Sequence, residues 1–177
     1  MTSKTDGNFD RTPLIAGNWK MNLPTFARVD LHPDAEGEKF ASAEGVARGA
    51  YVLADTDTTP DVVLIATGSE VELAVAARRQ LAEQGVAARV VSMPCREWFD
   101  AQDEDYRESV IPSGVKARVS VEAGVKMSWN DILGDAGRAV SLEHFGESAD
   151  YKTLYREFGI TAEDVVSKAQ ESIAAAR

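Results

Sequence analysis

Asp61-Val62-Val63-Leu64-Ile65-Ala66-Thr67-Gly68-Ser69-Glu70-Val71-Glu72-Leu73-Ala74 changes periodicity in the middle, and that change sets the fold class. Residues 61–66 form a short apolar run rich in β-branched side chains, as in a strand buried on both faces. Thr67-Gly68-Ser69 breaks the run, and Ser69 with Glu72 three residues on has the spacing of a capping box that opens a helix. Along the helix Leu73, Ala74, Ala77 and Leu81 share one stripe, while Glu72, Arg79 and Glu83 fall elsewhere. Gly85 stands where a left-handed residue ends a helix. Ala88-Arg89-Val90-Val91-Ser92-Met93 then supplies a second strand, stopped by Pro94. Strand, helix and strand within roughly 30 residues make a βαβ unit, the nucleus of a parallel sheet.

Downstream, the pattern extends the same layered sheet. Glu97-Trp98-Phe99 reads as a short helical turn burying Trp98 and Phe99, and Asp103 opens a helix whose acidic first turn suits the helix dipole. Ala117 to Glu122 is a third core-like strand, and Ser128 with Asp131 suggests an N-cap before Trp129, Ile132 and Leu133. Arg138 to Leu142 is a fourth strand. Asp150 to Phe158 is a short helix ended by Gly159. Thr161 with Asp164 caps the last helix, whose apolar stripe is Ala162, Val165, Val166, Ala169, Ile173 and Ala176. Upstream, Ala50 to Ala54 is a candidate short strand and Asp55 to Pro60 a turn-rich link.

The chain has 177 residues, 44% hydrophobic and 27% charged, with net charge −10 and pI near 4.7. That length accommodates one ordinary domain plus an arm. The acidic balance disfavours nucleic acid and anionic membranes as partners. No apolar run approaches the ~20 residues of a membrane span, and the polar start lacks the apolar core of a signal peptide. The single cysteine, Cys95, excludes an intrachain disulfide and fits a reducing compartment. The expected location is cytoplasmic.

Chemistry is sparse. The Thr67-Gly68-Ser69-Glu70 turn could cradle a phosphate at a helix N-terminus, but it lacks the glycines of a dinucleotide fingerprint and the Gly-Lys-Ser/Thr of a P-loop. Glu70 and Glu72 would repel an anion there, so a structural turn is preferred. His32, beside Pro33, has no second ligand type at metal spacing. Glu143, His144 and Glu147 follow the fourth strand, where open α/β sheets place ligands. His144 has no Ser or Cys in a nucleophile elbow, and Cys95 has no evident partner.

Two resemblances follow from longer peptides. Pro13-Leu14-Ile15-Ala16-Gly17-Asn18-Trp19-Lys20-Met21-Asn22 resembles the opening of triosephosphate isomerase, in which the motif's Asn and Lys, here Asn18 and Lys20, help bind and polarise substrate. The likeness covers about ten residues, whereas a (β/α)8 barrel needs on the order of 200. No later segment resembles the histidine electrophile or glutamate base of that chemistry.

From Leu23 onward the chain resembles the C-terminal domain of transketolase. Asn22-Leu23-Pro24, Gly45 to Leu53, Ile65 to Ala74 and Ala88 to Pro94 carry the likeness. Tyr106 to Pro112, Val121 to Gly124, Phe145 to Ala149, Glu157-Phe158-Gly159 and Thr161-Ala162-Glu163 continue it. Met93-Pro94-Cys95 and Glu97-Trp98-Phe99 look like the actinobacterial branch. The resemblance implies a three-layer α/β fold on a mixed, mainly parallel five-stranded sheet with an antiparallel first strand. It divides the chain into an arm (1–22), a loop-rich linker (23–49) and the domain (50–177).

The whole enzyme transfers a two-carbon ketol unit between sugar phosphates, using thiamine diphosphate and Mg2+. Its cofactor motifs and catalytic glutamate lie in preceding domains, so the resemblance implies no catalytic, cofactor or metal residue in this chain. Gly134-Asp135-Ala136-Gly137 only superficially matches the thiamine diphosphate motif, since no Asn follows to ligate magnesium. Where the family has a phosphate-gripping Arg before Asn-Leu-Pro, this chain has Lys20, a candidate substrate-binding residue without the fork of Arg. The chain then reads as an isomerase-like start joined to a transketolase tail, inactive alone. Its expected partners are the missing transketolase domains or a second copy in a homodimer. The alternatives are a non-catalytic assembly module and an isomerase fragment.

Overall fold

The computed structural model describes residues 40–177. The isomerase-like peptide, Lys20, His32 and most of the 23–49 linker lie outside the described residues. Five strands form one sheet: β1 (Tyr51–Ala54), β2 (Val62–Ala66), β3 (Ala88–Ser92), β4 (Arg118–Val121) and β5 (Arg138–Val140), in the order β1-β3-β2-β4-β5. β3, β2, β4 and β5 run parallel, and β1 pairs antiparallel with β3 at the edge, with a bulge between Val52 and Ala54. This is the mixed, mainly parallel sheet that the family resemblance implied.

β2 sits centrally and all five of its residues are buried. That explains its unbroken apolar run, since both faces are covered. Alternate residues go to opposite cores. Val62, Leu64 and Ala66 meet α1 (Val71–Glu83) and the last helix, α6 (Ala162–Ala175). Val63 and Ile65 face the opposite core with Phe99, Val110, Trp129 and Leu133, from α2 (Arg96–Asp100), α3 (Glu104–Val110), a 3₁₀ turn over Lys126–Trp129 and α4 (Asn130–Leu133). α5 (Tyr151–Glu157) adds Tyr155 to the first core.

Local signals hold in several places. Asp103 caps α3 by accepting the Tyr106 N–H at 2.7 Å, and Asp150 caps α5 by accepting that of Thr153 at 3.1 Å. Thr161 caps α6, its Oγ1 accepting the Asp164 N–H at 3.2 Å and donating to the Asp164 carboxylate at 2.6 Å. Gly85 ends α1 with φ +74°, and Val86 N–H reaches back to the Leu81 carbonyl at 3.0 Å.

Two predicted caps do not form. Gly68, at φ +58°, starts a 3₁₀ turn over Gly68–Glu70, so α1 begins later, at Val71, and the Ser69 hydroxyl is spent on Glu70. Ser128 lies inside the 3₁₀ turn before α4 and donates to the Val125 carbonyl, while Asp131 turns to Arg96. The stripe on α6 also differs at its end, where Ala176 is exposed and Ser172 is buried.

Candidate functional site

The carboxyl ends of the parallel strands are where a sheet of this kind places ligands, and the end of β2 is filled by the protein's own groups. After β2, the Gly68 turn drives Glu70 inward until 6% of it remains exposed. A carboxylate at that depth needs partners. The Tyr155 hydroxyl donates to Glu70 Oε1 at 2.5 Å, and the Ser69 hydroxyl donates to Oε2 at 3.2 Å. Burial, and then the bond to Glu70, push the Tyr155 phenol well above its ordinary range, so it stays a donor. The turn is therefore a joint between α5 and the end of β2. With a buried carboxylate already in place, it does not fit the diphosphate of a thiamine cofactor.

After β5, Glu143, His144 and Glu147 are exposed and do not converge on one point of chemistry. The Glu143 carboxylate accepts the Lys126 N–H at 2.9 Å, and that bond leads the causes that lower its pKa. His144 Nδ1 lies 2.8 Å from the Phe145 carbonyl oxygen, and its ring meets Phe158 edge-on at 4.7 Å. The Cys95 thiol donates to Glu97 Oε2 at 3.5 Å. Among the described residues no group of three or more His, Cys, Asp or Glu side chains could hold a metal ion.

One cleft of about 280 Å³ lies on the α2–α3–α4 side, lined by Arg96, Phe99, Arg107, Glu108, Arg118 and Asp131 among others. Arg96, Glu108, Arg118 and Asp131 serve the scaffold. The Arg118 guanidinium donates to the carbonyls of Ile132 (2.7 Å), Val115 (2.9 Å) and Pro112 (3.0 Å), and burial lowers its pKa. Arg96 donates to Asp131, to the Ser128 carbonyl and, at 3.3 Å, to Asp100. The Arg96–Asp131 bond raises the one pKa and lowers the other. Glu108 accepts the Ser113 N–H and hydroxyl at 2.9 and 3.0 Å.

Two structural groups escaped the sequence reading. Glu70 reads from sequence as a first-turn charge that repels anions, whereas it is buried on Tyr155, 85 residues on. Ser172 stands in the apolar stripe of α6, accepting the Arg118 N–H at 3.0 Å and donating to the Ala136 carbonyl at 2.8 Å. A polar residue at helical spacing on a buried face was the available signal for it. The Gly134-Asp135-Ala136-Gly137 peptide is structural too, because a Cβ on Gly137 would meet the Leu133 carbonyl oxygen at 2.5 Å.

A family model described as the transketolase-like TK C-terminal domain matches residues 49–161. Transketolase of Mycobacterium leprae is 58% identical over 134 residues, which are 73% of this chain and 19% of that protein. The solved transketolase of Leishmania mexicana superposes with TM-score 0.70 at 43% identity, covering 77% of this chain and 20% of its own. The inactive beta4 tetramer of a split gene transketolase shares the fold at 21% identity, with TM-score 0.59 over 74% of this chain and 44% of that one. The chain thus spans about a fifth of the length of its full-length relatives. It belongs to the transketolase C-terminal domain family.

Proposed function

We propose that this chain serves as the C-terminal domain of a transketolase, an enzyme of two-carbon ketol transfer between sugar phosphates, and turns over no substrate alone. The observation that carries this reading is the pairing of 58% identity with a span of only 19% of the relative. Glu70, Glu143 and Arg118 are meanwhile engaged in holding the scaffold together. On this reading thiamine diphosphate and Mg2+ belong to the domains that precede it in the relatives. On the same reading residues 1–22 are an arm, 23–49 a linker and 50–177 the transketolase C-terminal-like domain. The single cysteine supports a cytoplasmic location, and no helix among the described residues is long and apolar enough to cross a membrane.

The test is a coupled assay of the purified chain with xylulose 5-phosphate, ribose 5-phosphate, thiamine diphosphate and Mg2+. The expected result is no turnover above the protein-free control, and sustained turnover would overturn the reading. Lys20 is proposed as a point-charge contact for substrate phosphate, to be checked by Lys20→Ala in an assay with the catalytic domains supplied. The same variant settles the isomerase alternative, which predicts conversion of glyceraldehyde 3-phosphate by the wild type and its loss in Lys20→Ala.

A further inference from the structure

One length of chain is tied to the domain at its two ends and at a single polar point between them. Val140 at the end of β5 is buried and Ile160 is 1% exposed, yet no residue between the two is buried, and residues 143–152 are all exposed. The near end is pinned, because Leu142 N–H donates to the Gly124 carbonyl at 2.9 Å and Glu143 accepts the Lys126 N–H at 2.9 Å. The far end is pinned by Ile160, whose N–H donates to the Tyr155 carbonyl at 2.8 Å. Between these ends the segment bonds to itself. Asp150 caps α5, Leu154 N–H donates to the Asp150 carbonyl at 3.0 Å, Phe158 N–H donates to that of Leu154 at 2.9 Å, and the His144 ring closes on Phe158. Among the described residues, its one polar tie across to the rest of the fold is the Tyr155 hydroxyl, which donates to Glu70 Oε1 at 2.5 Å with Ser69 Oγ 3.5 Å away. Tyr155 and Phe158 add apolar contact, partly buried against the core beneath α1 and α6.

The forces on this segment are opposed. Glu70 is the one charged side chain that is buried among the described residues, so covering it costs hydration. Ordering a stretch that buries none of its residues costs backbone entropy as well. Against these stand one charge-assisted hydrogen bond and two partly buried rings. Few buried apolar contacts and many exposed backbone bonds belong to units that open before the core does. β2 beneath, with all five residues buried, is of the opposite kind. We propose that residues 145–158 form a strap that closes over the end of β2 and opens as one unit while the sheet stays folded, with the Tyr155 hydroxyl on Glu70 as its latch. Opening returns Glu70 and the first turn of α1 to solvent, so the strap decides whether this end of the sheet is accessible. The strap works in this way whether or not the chain serves a transketolase.

The experiment is amide hydrogen exchange of the 177-residue chain at pH 7 across a urea series, read by NMR for wild type, Tyr155→Phe and the control Tyr151→Phe. Circular dichroism verifies that each variant is folded. In wild type the Leu154 and Phe158 amides should exchange at least about a hundredfold faster than those of β2, relative to their intrinsic rates, and with little dependence on urea. Tyr155→Phe, which keeps the ring and removes the latch, should speed them by a further factor of about thirty. Tyr151→Phe should leave them unchanged. α5 amides that match β2 in both rate and urea slope would overturn the strap, and this wild-type comparison decides even where Tyr155→Phe fails to fold. A folded Tyr155→Phe protein that speeds α5 exchange by less than about threefold, or a Tyr151→Phe protein that speeds it as much, would overturn the latch.

Discussion

Tyr155→Phe removes one oxygen and leaves the ring that packs against the core beside α6. The lost hydroxyl donates at 2.5 Å to a carboxylate with 6% exposure. Hydrogen bonds to charged groups contribute about 1.5–3 kcal/mol, and a buried acceptor left unmatched costs about as much. The Ser69 hydroxyl at 3.2 Å still reaches the other oxygen, which places the loss near 2 kcal/mol. For a domain of this size that lowers Tm by roughly 6–8 °C. Urea unfolding followed by circular dichroism at pH 7 is the assay, with a lower midpoint and an unchanged slope expected.

The pH dependence has a definite sign. The phenol's pKa is raised in the folded state, so its contribution is fully present below about pH 10 and is lost as pH rises beyond that. The slope is at most ~1.4 kcal/mol per pH unit, and smaller because the partly exposed ring is screened by solvent. The gap between wild type and Tyr155→Phe should hold from pH 7 to 9 and narrow above pH 10. With Glu70→Gln the two losses should be less than additive. A Tyr155→Phe protein within about 0.5 kcal/mol of wild type, additive with Glu70→Gln, would refute a structural role for the bond.

Three further substitutions test other parts of the scaffold. Gly49→Ala places a Cβ 2.3 Å from the Phe99 nitrogen and 2.4 Å from the Cys95 carbonyl oxygen at φ +86°; it should cost more than about 3 kcal/mol or prevent folding, as judged by soluble yield and near-UV dichroism. Asp131→Asn removes the acidic partner of Arg96 and should cost no more than about 1 kcal/mol at pH 7, because Asp131 is largely exposed. The Asp131 pKa is depressed in the fold, so this difference should persist above pH 4 and vanish as pH falls below it, read from urea midpoints. Ser92 Oγ at the end of β3 is buried without a hydrogen-bond partner. Ser92→Ala should therefore be neutral or stabilising by up to about 1 kcal/mol, and a loss above that in thermal melts would show that the hydroxyl is satisfied.

The order β2-α1-β3, the Gly85 stop, the helix starts at Asp103 and Asp150 and the Thr161 cap could all be read from sequence, because each depends on side chains within a few residues of one another. Family peptides extended that reading to the antiparallel β1 and the five-stranded sheet. The tertiary structure alone decided which polar groups became structural. Ser69 and Ser128 carried the local spacing of caps, yet the positive φ of Gly68 and the pull of Arg96 on Asp131 sent them elsewhere. Glu70 became a buried joint only because α5 brings Tyr155 across the end of β2, and Ser172 became a clasp only because α6 lies over β4. A short-range hydrogen bond costs little chain entropy and leaves a pattern in the sequence. A bond closed over 85 residues exists only after the sheet has assembled the two ends.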